Sequence, residues 1–340
     1  MSISVLWEAL LCETSDMTLD SIENKSDIVA LMQHRPEPCY EHVSSAMAAE
    51  TWSTLSTSTL FPNKKTTFFK RPVDISLYPA PTAETTFGHK NVVIPADQEH
   101  ASTSRHTIAV SHNDVKVYIT EHIIGLLTAM NHTAHIHLEW WNNRPTEKTC
   151  VQEYLHAIQD VSVSTSVPIE YVTPTKPLFL RAKNGAYVGF IPADPWDKML
   201  TVDLMVQYPW TSIGTQRIKV DIDDEIVDAI AAARTPSHGR RGKWIKTVHK
   251  TPWLNCLVHV HPDTTLRFTD KDLKNPRERY RTDAWMYLEI PFHEVLDKLG
   301  ALGLVGGKKK LAWTFVSYKA NHAMDLALLR QLIHAWLVQA

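Results

Sequence analysis

Cysteine is scarce and scattered. The four residues, Cys12, Cys39, Cys150 and Cys256, contain no CxxC pair, which argues against a cysteine zinc site or a disulfide framework and fits reduced cytosolic thiols. Positive charge is not in excess either: 35 Lys and Arg stand against 37 Asp and Glu, a formal net charge of −2, so whole-chain basicity gives no reason to expect a nucleic-acid partner. The apolar runs fall far short of a bilayer span, and no transmembrane segment is expected. The opening residues MSISVLWEALLCETSD lack a basic leader and a small-residue cleavage site. No secretory signal is therefore expected, and the chain reads as cytoplasmic.

What the sequence does have is length and apolar content. Its 340 residues are 44% hydrophobic, enough for a core and for about two domains. Histidine is abundant at 18 residues, but one metal or acid–base site uses only a few, so the count alone argues nothing.

The most informative stretch is PFHEVLDKLGALGL, Pro291 to Leu304. Phe292, Val295, Leu296, Leu299 and Leu302 recur at helical spacing, and Pro291 suits a first helical turn. His293 and Asp297 are one turn apart on one face of that helix, which suits two ligands of a metal ion as well as a plain surface pair. Two further junctions offer chemistry. Thr120-Glu121-His122 lies between a strand-like run, VKVYI, and an apolar helix, and Asn321-His322 opens a helix after LAWTFVSY.

The pattern predicts an α+β fold. Residues 1–50 form an N-terminal extension with two short helical patterns, ISVLWEALL and SDIVALMQH. A first domain spans 51–166, with strands TTFFK, DISLYPA, HTIAV, VKVYI and HIHLEWW and a helix in CVQEYLHAIQD. A second spans 167–340, with strands PLFLRA, AYVGFIP, LTVDLMVQYP, LNCLVHVH and LAWTFVSY and helices in DDEIVDAIAAAR and AMDLALLRQLIHAWL. VSVSTSVPIEYVTPTKP reads as a linker running into a strand.

The order TEHIIGLLTAM, AARTP, FHEVLDKLGALGLVG, NHAMDLALL resembles the zinc-dependent UDP-3-O-acyl-N-acetylglucosamine deacetylases of lipid A synthesis (LpxC), whose motifs read approximately TVEH, ARTF, HKxLDxxGDL and GHxxN. The resemblance runs from about Thr54 to the C-terminus and includes RPVDISLYPAP and the IPAD segment. It implies two similar domains, each a layered sheet-and-helix sandwich, with the metal between them. It assigns zinc, with iron as an alternative, to His122, His293 and Asp297, leaving a fourth position for water. It makes Glu121 the general base, makes His322 a protonated imidazole that stabilises the oxyanion or protonates the leaving amine, and places Thr235 at the oxyanion. The implied partner is a small N-acylated molecule such as a nucleotide sugar, and the implied reaction removes its acyl, expected acetyl, group. Nothing in the sequence sets an oligomeric state.

Departures from those motifs matter for substrate and acid. Glu294 stands where the family has a substrate-binding lysine, Ala301 where it has the aspartate that would charge His322, and Asp325 where it has asparagine. The family's LHSG reads LFPN, Leu60 to Asn63. After Thr235, where the family has an apolar passage for an acyl chain, Arg240, Arg241, Lys243, Lys246 and Lys250 make the segment basic, a solvated surface or an anion-binding one. Rival readings are a deacylase of another N-acylated metabolite, a retired scaffold binding an anionic ligand or a protein, and a metal site on the alternating pairs His135/His137 and His259/His261.

Overall fold

The computed structural model describes residues 19–33, 35–65, 72–104, 107–139, 151–192, 198–208, 213–238, 266–268, 273–274, 288–335 and 337–339. Among these are six α-helices: α1 (Lys25–Gln33), α2 (Glu121–Ala129), α3 (Gln152–Gln159), α4 (Asp224–Ala232), α5 (Glu289–Leu302) and α6 (His322–Ala335). The fold is α+β, as the sequence pattern and the resemblance both imply. ISVLWEALL, TTFFK, LNCLVHVH with His259 and His261, and the basic residues from Arg240 to Lys250 lie outside the described residues.

Two larger sheets organise the molecule. One has five strands in the order Thr59–Lys65, Pro72–Pro79, Ala134–Leu138, Thr86–His89, Val92–Pro95. The other has seven, in the order Leu19–Ile22, Leu178–Ala182, Tyr187–Pro192, Trp313–Tyr318, Thr201–Tyr208, Gly214–Asp221, Tyr40–His42. One continuous apolar core joins them: Leu77, Phe87 and Ile136 of the first sheet, Ile123 and Leu127 of α2, Leu296 and Leu299 of α5, and Phe190, Val202 and Phe315 of the second. The first half of the segment read as a linker running into a strand is itself a strand, Ser162–Pro168, paired with Thr51–Leu55, and a second strand, Glu170–Pro174, follows it. Its Ser, Thr and Val residues fit pleated geometry, so composition alone misled.

The N-terminal extension is built into the body. Leu19–Ile22 pairs with Leu178–Ala182, and Tyr40–His42 pairs with Gly214–Asp221, so residues from the extension close both edges of the seven-stranded sheet. Successive residues of a strand face opposite sides. Phe190 and Phe315 therefore point into the main core, while Phe179 and Val316 point outward and are covered by Ile28 of α1. The connection is fixed electrostatically. Arg35 Nη1 lies 2.7 Å from Asp203 Oδ2, and Arg217 grips the same carboxylate from Nε and Nη2 at 2.8 and 2.7 Å. Arg217 Nη1 also donates to the Pro36 carbonyl at 2.8 Å.

Candidate metal centre

Three helices bring the chemistry together, and two of them touch backbone to backbone. A Cβ added at Gly300 of α5 would fall 2.3 Å from the Glu121 carbonyl oxygen, and one at Gly125 of α2 would fall 2.3 Å from the Leu296 carbonyl oxygen. Only the absence of side chains at both positions lets α2 and α5 approach this closely. That approach sets the first turn of α2, with Glu121 and His122, against the middle of α5, with His293 and Asp297.

The junction before α2 is strained to aim those residues. Ile119 follows the strand Val115–Tyr118 and adopts φ 59°, a left-handed conformation that is costly for a β-branched residue. A matching turn precedes α6: Lys319, after Trp313–Tyr318, has φ 52°. Each turn lies three residues before a site histidine, His122 or His322.

One ring nitrogen each from His122 and His293 and one carboxylate oxygen of Asp297 lie within 4.8 Å of one another. His122 Nε2 is 3.2 Å from Asp297 Oδ1, and His293 Nε2 is 3.7 Å from Asp297 Oδ2. The two imidazoles meet edge to face, with centroids 4.9 Å apart. His293 Nδ1 lies 3.3 Å from the Ala233 carbonyl oxygen, a backbone contact that would fix its tautomer and leave Nε2 free to bind an ion. His122 Nδ1 is buried without a hydrogen-bond partner among the described residues, and buried polar atoms left so are uncommon unless an ion, water or catalytic role accounts for them. Two imidazoles and one carboxylate are a suitable donor set for zinc with one position open.

Burial sets the charges. It pushes Glu121 up to about 7, against the pull of His122; Glu121 Oε2 accepts the Ile108 N–H at 3.0 Å. Burial also holds His293 down at about 4. Burial opposes ionisation of Asp297 too, but His293 and His122 outweigh it and hold the carboxyl below its ordinary range.

His322 opens α6 with Nε2 3.9 Å from Asp297 Oδ2. Burial lowers it to about 4, so without metal the ring is neutral near pH 7, in contrast to the protonated imidazole that the resemblance implies. Asp325 does not take over from the missing aspartate. It lies 4.0 Å from His322 Nδ1 and instead accepts from Lys298 Nζ at 2.8 Å. Lys298 is 1% exposed and also donates to the Ala320 carbonyl, so it ties α5 to the turn that presents His322.

Thr235 follows a buried bidentate pair, Arg234 Nε and Nη2 to Glu289 at 2.7 and 3.1 Å. This pair fixes the Thr235 segment to the start of α5, and Thr235 Oγ1 is buried and unpartnered among the described residues. Gly125, Gly300, Arg234, Glu289 and Lys298 were not picked out in the sequence. The glycines carried a signal, standing inside helical patterns where their cost implies a packing reason. His135 and His137 do share a face, their rings 6.2 Å apart, but no third ligand joins them among the described residues.

No curated protein matches the chain. The family model for LpxC, described as UDP-3-O-acyl N-acetylglycosamine deacetylase, matches residues 65–334, and the chain therefore belongs to the LpxC family of metal-dependent deacetylases.

Proposed function

We propose that the chain is a metal-dependent amidohydrolase that removes an N-acyl group, acetyl in the first instance, from an amino sugar or a related small molecule. The observation that carries this reading is the convergence of His122, His293 and Asp297 within 4.8 Å beside a buried carboxylate, Glu121. Zinc, when bound there, would polarise an amide carbonyl and acidify water to a pKa of about 7.

The chain's own residues would do the rest. Glu121 accepts a proton from the attacking water and returns it to the departing amine; a carboxyl poised at about 7 can do both. The Thr235 hydroxyl and an N–H of neutral His322 donate to the oxyanion that develops on the carbonyl. His293, tied to the Ala233 carbonyl, keeps its ring orientation through the cycle. Glu294 stands where the resemblance implies a substrate-binding lysine, and burial raises it to about 7 against the pull of Lys298; the loss of that lysine's positive charge favours testing substrates beyond an acylated nucleotide sugar.

Metal content by mass spectrometry and acetate release from UDP-3-O-acyl-N-acetylglucosamine and simpler N-acetylated amino sugars test the reading together. About one zinc or iron per chain, lost in His122→Ala and Asp297→Ala, is the expected result. A chain that takes up no metal even when zinc is supplied would instead favour a retired scaffold.

A further inference from the structure

A cavity of about 240 Å³ lies away from the metal-ligand cluster, beside the later turns of α2 and the end of α5, with Leu127, Thr128, Leu302 and Gly303 in its wall. Its charged groups are unevenly placed. Glu84 and Lys309 are exposed, whereas Lys310 is 5% exposed.

Lys310 is unlike the other buried cations. Arg35 pairs with Asp203, Arg234 with Glu289 and Lys298 with Asp325, but Lys310 Nζ hydrogen-bonds a neutral amide, Asn131 Oδ1, and is within ion-pair reach of no carboxylate among the described residues. Asp224 acts on Lys310 only from beyond ion-pair distance and does not offset its burial, which is costly for a cation and lowers Lys310 to about 8.

The neighbouring polar groups are already committed. His132 uses both ring nitrogens, on the Met130 carbonyl and the Ser162 hydroxyl. Thr133 and Thr128 donate to the Ala80 and Ile124 carbonyls, Trp52 Nε1 to the Lys308 carbonyl, and Asp97 accepts at Oδ1 alone, from His100 and two backbone N–H groups. An ammonium has three N–H donors, so beyond its bond to Asn131 Lys310 keeps N–H groups to offer, set among Ile124, Leu127, Leu302 and Leu311, whereas Lys309 is exposed.

We propose that this cavity is a second binding site, for a small aliphatic carboxylate whose head pairs with Lys310 and whose apolar body lies along Leu127, Leu302 and Leu311. The site is independent of the deacylase reading. Its ligand would touch α2 and α5, the helices that carry the metal-ligand cluster.

The test is calorimetric titration of the full chain with hexanoate, and with hexan-1-ol as its uncharged counterpart. Lys310→Met keeps the side-chain bulk and removes the charge; its melting profile and metal content report that it folds. Saturable hexanoate binding that weakens roughly 10- to 100-fold in Lys310→Met, persists in His122→Ala and exceeds binding of hexan-1-ol is the expected result. No saturable binding, equal affinity in Lys310→Met, equal affinity for the alcohol, or loss in His122→Ala would each overturn the proposal.

Discussion

Gly300 lies directly against the carbonyl of Glu121, and the space a Cβ would need there is 2.3 Å from that oxygen. The neighbour is backbone, which cannot rotate aside, so Gly300→Ala must separate α2 from α5. The helix-propensity gain of about 1 kcal/mol opposes an overpacking cost of about 1–3 kcal/mol or more. The expected outcome is a lower unfolding midpoint together with weakened metal binding, because the separation moves His122 from Asp297. Full metal occupancy and an unchanged midpoint would show that the close approach is not needed.

Base and ligand should separate in mutants. Glu121→Gln is expected to keep its metal and lose about 10²–10⁴-fold in turnover, the scale of general-base catalysis. His293→Ala is expected to lose metal and turnover together. Parallel metal analysis and rate measurements decide this; near-normal turnover in Glu121→Gln removes the residue from the role of base.

Turnover should rise with pH as Glu121 ionises, because Glu121 must be ionised to act; burial raises it to about 7 in the metal-free chain, and a bound metal cation would bring the rise to lower pH. The same shift has a stability consequence in the metal-free chain. The folded protein holds the Glu121 proton more tightly than the unfolded chain, where the ordinary value is 4.5. That contribution is complete below 4.5 and is lost as pH rises through about 7. The difference in unfolding free energy between wild type and Glu121→Gln should therefore change across this window and be flat outside it.

The two N-terminal edge strands should depend on Asp203. It is 3% exposed and balances both Arg35 and Arg217, so Asp203→Ala leaves two cations beside an apolar sheet. A loss of about 3–5 kcal/mol in chemical denaturation is expected, the scale for breaking a buried pair. A loss below about 1 kcal/mol would place the pair among weak surface bridges.

Much of the candidate site was legible in the sequence. The four-residue spacing of His293 and Asp297 fixes them on one helix face whatever the surroundings, and α5 forms with both on it. The strand-to-helix junctions at Glu121-His122 and His322 were legible because periodicity changes there from two to 3.6. The strand Ser162–Pro168 was not, because Ser, Thr and Pro are shared by loops and edge strands.

By itself the sequence determined local facts: an α+β chain, its amphipathic helices, and which side chains could ligate a metal or move a proton. Tertiary structure alone decided that Asp325 neutralises Lys298 rather than charging His322, that residues before 50 close both edges of a sheet, and that Lys310 is buried without a carboxylate among the described residues. The reason is physical. Helix and strand periodicity is written over a few neighbouring residues, whereas desolvation and ion pairing depend on which distant segments exclude water from the same small volume.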